Sequence, residues 1–226
     1  MSERSGILFD VDGTLTDTTF LHTVCWAEAM RQHGHDVPMA SVHHAIGMGG
    51  DELLDECLGT DRDRGDDDAI DAARLTLYRE WWGRLRPLPG ARDLLAGCAA
   101  RGLEVVLASS ASADELDALR TALDSDDVIT AATSSSDADA GKPEPDILQA
   151  ALEQSGLDPQ HVVFVGDAVW DGHAARKAGV TFVALTCGGT PEDELRDAGA
   201  GEVYRDPAAL LAALDEGAIG RLGSLR

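Results

Sequence analysis

The stretch Gly6-Ile-Leu-Phe-Asp-Val-Asp-Gly-Thr-Leu-Thr-Asp17 decides the fold. Its first four residues are small or apolar and read as a buried strand, ILFDV at 7–11. Asp10, Asp12 and Asp17 then crowd into eight positions. Carboxylates at the end of a buried strand repel one another and resist desolvation. Such an arrangement needs a compensating positive charge.

Outward from that strand, a regular alternation begins after residue 88. GARDLLAGCAARG (90–102) has helical spacing, and LEVVLASS (103–110) reads as a strand. SADELDALRTAL (112–123) reads as a helix opened by a capping box, Ser112 with Glu115. A weaker strand at 127–133 precedes a helix at 145–156. HVVFVGD (161–167) is the clearest buried strand, followed by a short helix at 171–180 and a strand at 181–186. A helix at 190–199, an edge strand at 202–205 and a helix at 206–217 complete the pattern, and the final ten residues read as frayed. Strands alternating with helices imply an α/β fold, a Rossmann-like parallel sheet with crossover helices in three layers.

Residues 16–87 break this pattern. They show helical periodicity and no convincing strand, best in 22–34 and 69–85. The expectation is a catalytic core of residues 1–15 and 88–226 with an inserted α-helical cap at 16–87. Hinges are expected near Thr14–Thr18 and Pro87–Pro89.

Composition narrows the function. The 226 residues are 44% hydrophobic and carry a net charge of −23, with a pI of about 4.4. No basic stripe exists to neutralise phosphates, so no nucleic acid partner is expected. No membrane association is expected either: an anionic surface repels this chain, and no apolar run reaches the roughly 18 residues of a span. A cytoplasmic protein is expected. The cysteines, Cys25, Cys57, Cys98 and Cys187, form no zinc spacing and read as small apolar residues. Only Lys142 and Lys177 are lysines, against 16 arginines, and aspartates cluster as in DRDRGDDD at 61–68. An Asp-rich, Lys-poor surface suits concentrated salt, though a GC-rich genome also favours Arg over Lys.

In an open parallel sheet, ligands bind beyond the carboxyl ends of the strands. That edge receives Asp10 and Asp12, then Ser109 and Ser110, then Lys142, then Asp167 and Asp171. A hard divalent cation among the acids, Mg²⁺ above all, reverses their repulsion. A lysine and a hydroxyl opposite suit a phosphate.

In order and spacing, Asp10-Val-Asp12-Gly13-Thr14, Ser109, Lys142, and Gly166-Asp167 with Asp171 resemble the four motifs of the haloacid dehalogenase superfamily. The resemblance covers the whole chain, and its phosphoglycolate phosphatase and β-phosphoglucomutase branch carries a helical cap in the same place. It implies a Mg²⁺-dependent phosphatase acting on a small phosphorylated metabolite. Asp10 would be the nucleophile and Asp12 the general acid and base. Asp10, the backbone carbonyl of Asp12, Asp167 and Asp171 would hold the metal. Ser109 and Lys142 would bind the phosphoryl group, with Ser110 competing for the role of Ser109. Gly13 would let the backbone approach closely.

Asp12 separates the chain from the metal-free dehalogenases, and the absence of lysine between residues 15 and 88 separates it from the phosphonate hydrolases. Asp17-Thr18, His22 and Trp26 resemble the start of a sugar-phosphate mutase cap. That branch holds a second phosphate with an arginine in a cap loop. The corresponding loop here is GMGGDEL (47–53), with Gly50 where the arginine is expected and Gly49 beside it. Hydrolysis is therefore expected, with phosphate transfer on a sugar the alternative. A phospho-receiver signalling domain is shorter and has no insert after its first strand. His22 is a candidate cap residue, although a histidine on an amphipathic helix is commonly structural. The His33/His35 and His43/His44 pairs have no third ligand at useful spacing.

Overall fold

A computed structural model describes residues 4–223. In chain order its elements are β1 (Gly6–Phe9), α1 (Thr19–Gln32), α2 (Met39–Ala45), α3 (Gly50–Leu58), α4 (Asp67–Arg79), α5 (Ala91–Ala100), β2 (Glu104–Ala108), α6 (Ala113–Leu123), β3 (Ala131–Thr133), α7 (Asp146–Ser155), β4 (Val162–Gly166), α8 (Val169–Ala178), β5 (Thr181–Leu185), α9 (Glu192–Asp197), β6 (Glu202–Tyr204), α10 (Pro207–Ala212) and α11 (Gly217–Gly223).

The six strands form one parallel sheet in the order β3-β2-β1-β4-β5-β6. Side chains alternate across it with period two. Ile7, Phe9, Val105, Leu107, Val163 and Val165 face one apolar layer, which α5, α6, α10 and α11 cover. Leu8, Val106, Phe164 and Phe182 face the other, covered by α7 and α8. β1 and β4 are central and fully buried, so the segments leaving their carboxyl ends lie at the middle of one sheet edge. None of the described helices is long and apolar enough to cross a membrane.

Helices α1–α4 build a separate apolar cluster around Trp26, Met30, Val42, Leu53, Leu54 and Ile70. The two chain crossings between these helices and the sheet lie side by side. Asp17 N–H donates to the Arg86 carbonyl at 3.0 Å, and Leu88 N–H donates to the Leu15 carbonyl at 2.8 Å.

Three elements differ from the sequence reading. The first strand ends at Phe9, so Asp10, Val11 and Asp12 leave the ladder and curl into a tight loop. There the N–H groups of Leu15 and Thr16 both donate to the Val11 carbonyl. The chain end does not fray from residue 217: α11 is helical because Ile219 and Leu222 bury against the sheet layer. Residues 224–226 of that expectation lie outside the described residues. The weak strand keeps only residues 131–133, since a turn closed by Val128 N–H on the Ser125 carbonyl takes up its first half.

Candidate active site

The acids meet where four loops leave the sheet. Asp10 is anchored as its N–H donates to the Val165 carbonyl of β4 at 2.9 Å. Its carboxylate is buried, and Lys142 Nζ reaches its Oδ1 at 2.5 Å and the Oδ1 of Asp171 at 2.8 Å. Lys142 is 0% exposed and has the face of Phe164 behind it at 5.5 Å. Burial alone would lower its pKa, but the attraction of Asp10 and Asp171 is stronger and holds the ammonium charged.

Asp171 does two things at once. Its Oδ2 accepts the N–H groups of Asp167 and Ala168 at 3.1 and 3.0 Å, capping α8, and its Oδ1 faces Lys142. Asp167 is fixed from the β1 side, where Thr14 Oγ1 donates to its Oδ1 at 2.8 Å. Gly13 lies between these segments with φ +79°, and a Cβ there would fall 2.5 Å from Asp167 Oδ2. The motif needs glycine for both reasons.

Asp10, Asp167 and Asp171 each present a carboxylate oxygen, all within 4.8 Å of one another. One lysine does not balance three buried acids. Asp10 is pushed up to about 7, first by burial and then by its acidic neighbours against the pull of Lys142. Asp167 is raised by the same causes. A site that holds excess negative charge among oxygen donors fits a divalent hard cation.

The Asp12 carboxylate is turned away from that cluster and toward α1. Its Oδ1 accepts from Thr18 Oγ1 at 2.6 Å and lies 3.0 Å from His22 Nε2. Burial would raise its pKa, but the His22 ring and the Thr18 hydroxyl hold it below the usual value. The His22 ring packs against Tyr78 of α4, with centroids 4.1 Å apart. A small cavity of about 70 Å³ opens above Asp10 and Asp12. Ser109 is buried, and its Oγ accepts from Ala111 N–H at 3.1 Å. Ser110 lines the cavity, and its buried Oγ has no hydrogen-bond partner.

The chain as a whole is similar to known proteins. A model of haloacid dehalogenase-like hydrolases matches residues 5–179. The chain belongs to the haloacid dehalogenase-like hydrolase family. It is 32% identical to a hydrolase from Pseudomonas syringae of known structure, with a TM-score of 0.89 over 94% of this chain and 98% of that one. Phosphoglycolate phosphatase of Escherichia coli K12 is 29% identical over 207 residues, covering 81% of each protein. β-Phosphoglucomutase from Clostridium difficile shares the fold, with a TM-score of 0.77 at 19% identity over 90% of this chain and 92% of that one.

The helices of residues 16–87 meet the sheet domain at two glycines. Gly49 N–H donates to the Lys142 carbonyl at 3.3 Å, and Gly141 N–H donates to Glu52 Oε1 at 2.9 Å. A Cβ on Gly49 would lie 2.8 Å from Gly141 Cα, so the two backbones touch. Gly141→Ala is expected to hold the insert off the core, lowering kcat/KM about tenfold and stability by about 1–3 kcal/mol, the cost of overpacking. Steady-state kinetics alongside a thermal melt checks it. Gly50 sits in more open space, its nearest neighbour being Trp26 at 3.6 Å from a built Cβ.

One residue escaped the sequence reading. Arg74 of α4 lines the cavity together with Asp10, Asp12 and His22. It comes from α4, not from the 47–53 loop. It is only 9% exposed and stacks over Trp26 at 5.0 Å. Its NH1 pairs with Glu115 of α6, and its Nε and NH2 bond Asp71 Oδ1 at 3.2 and 2.7 Å. Trp26 and Arg74 are 48 positions apart, so no local pattern joins them.

Proposed function

We propose that this chain is a Mg²⁺-dependent phosphatase of small phosphomonoesters that works through a phospho-aspartate on Asp10. The observation that carries the reading is the pairing of Lys142 with Asp10 inside a cluster of three buried acids. Phosphoryl transfer asks for positioning and charge neutralisation above all. Lys142 and the Ser109–Ser110 segment would hold the phosphoryl oxygens, while Asp10 Oδ1 or Oδ2 attacks phosphorus and the ester oxygen leaves. Asp12, beside the cavity and ionised in this state, would take up a proton from solvent as the ester binds, pass it to that oxygen and then take one from the attacking water. His22 and Thr18 orient the Asp12 carboxylate. Asp10, Asp167, Asp171 and the Asp12 carbonyl would hold the metal, which when bound supplies positive charge to the transferring group. Residues 16–87 would act as a cap that closes over the ester and excludes water.

Release of inorganic phosphate from a panel of small phosphomonoesters, with Mg²⁺ and with EDTA, tests the reading. Metal-dependent release is expected. No release from any ester, at low or high salt, would count against it.

The acid cluster also sets a stability profile. Asp10 and Asp167 have folded pKa values raised above the usual 3.8, so the fold binds protons that the unfolded chain has already released. The Asp10 contribution is complete below about pH 4 and is lost as pH rises through about 7, and Asp167 acts in the same direction. In EDTA the melting temperature is therefore expected to fall from this source between pH 4 and 8. Mg²⁺ at a hundred times its Kd adds about 2.7 kcal/mol, with a larger rise in Tm at pH 8 than at pH 5. Melting scans across that range, with and without the metal, check both slopes.

A further inference from the structure

Resting on the phosphatase reading, we infer that the Arg74–Glu115 pair selects esters whose leaving group is uncharged and hydroxyl-bearing, and rejects those with a second anion. The pair lines the same cavity as Asp10 and Asp12, the space a leaving group would occupy. Arg74 belongs to α4 of the insert and Glu115 to α6 of the core, so the pair bridges the two.

The charge on that wall is already spent. Glu115 is 1% exposed, and its Oε2 accepts from Ser112 N–H at 3.1 Å and Ser112 Oγ at 2.7 Å while Oε1 takes Arg74. Asp71 takes two further N–H groups of the same guanidinium. Two acids thus face one cation. A carboxylate or second phosphate on Arg74 would place a third anion there, and closing the insert would leave the buried Glu115 without its partner. Breaking a buried pair in this way is strongly unfavourable. His22 offers no free Nε2, because that nitrogen faces Asp12 Oδ1 at 3.0 Å.

A hydroxyl meets a different wall. Arg74 uses three of its five N–H groups on Glu115 and Asp71, leaving two to donate. Trp26, Ile46 and Leu53 add apolar surface suited to the C–H face of a sugar or polyol. The cavity of about 70 Å³ holds a few water-sized groups, so a larger leaving group enters only with the insert open.

The experiment compares kcat/KM for glycerol phosphate and a hexose 6-phosphate with that for phosphoglycolate, in wild type and in Glu115→Gln. Wild type is expected to favour the neutral leaving groups, and Glu115→Gln to move the ratio toward phosphoglycolate by about tenfold or more, the scale of a hydrogen bond to a charged group. A structural role alone would lower all rates together and leave the ratio unmoved. An unmoved ratio overturns the inference, as does a wild type that prefers phosphoglycolate, and that second arm stands even if the variant does not fold. Release from no ester at all overturns the phosphatase reading and this one with it. Release led by phosphoglycolate overturns this one alone.

Discussion

Asp10→Asn is expected to lower phosphate release by at least about 10⁴-fold, as loss of a nucleophile does elsewhere, while leaving the fold intact. The amide keeps the shape of the carboxylate but has no charge with which to attack phosphorus. Stability behaves differently from activity. Asp10 is pushed up to about 7 by burial, so its ionised form is held at a cost despite Lys142. Replacing it with a neutral group removes that cost. Lys142 retains Asp171 at 2.8 Å. In EDTA at pH 8 the variant is expected to melt no lower than wild type, and Mg²⁺ is expected to stabilise it less. An inactive variant with a lower metal-free Tm and an undiminished response to Mg²⁺ would sink this account of the site. Phosphate release and melting scans on one preparation decide it.

Lys142→Met is expected to have the opposite thermal sign. Methionine fills a similar volume against Phe164, so packing is largely kept. What is lost is the cation that faces Asp10 and Asp171 in a fully buried setting. Removing one partner of a buried pair costs about 3–5 kcal/mol, which for a chain of this size lowers Tm by on the order of 10 °C. Phosphate release should fall by about 10³-fold or more, since electrostatic stabilisation of the transferring group is lost as well. The metal supplies charge to the same acids, so Mg²⁺ is expected to recover more Tm in this variant than in wild type. A metal-free Tm equal to that of wild type would mean that the three acids are protonated or solvated rather than balanced by Lys142. The two variants therefore separate chemistry from charge balance.

The acid cluster was legible in the sequence because each of its members ends an apolar strand or opens the helix after it. β1 delivers Asp10, and β4 delivers Asp167 and, in the first turn of α8, Asp171. The parallel sheet then brings those ends together without further information. Ser112 and Glu115 were legible as a capping box, and the structure keeps it. The same Glu115 also faces Arg74, and nothing within α6 announces that second partner.

The sequence by itself determined the α/β class, the sheet edge that carries the chemistry and the residues gathered there. Local periodicity and strand-end placement are short-range properties, and the crossover rule converts them into one site. Only the tertiary structure decided what stands opposite that site. Whether Arg74 reaches the cavity depends on how α4 packs on α1 and how the whole insert sits on α6. Those contacts join positions 41 apart in the case of Arg74 and Glu115. They are set by the shape of the apolar cluster around Trp26, Leu53 and Ile70, which no repeat in the chain encodes. The end of the chain makes the same point: α11 is a helix because Ile219 and Leu222 find the sheet layer, and their own short segment is too weak to fix it alone.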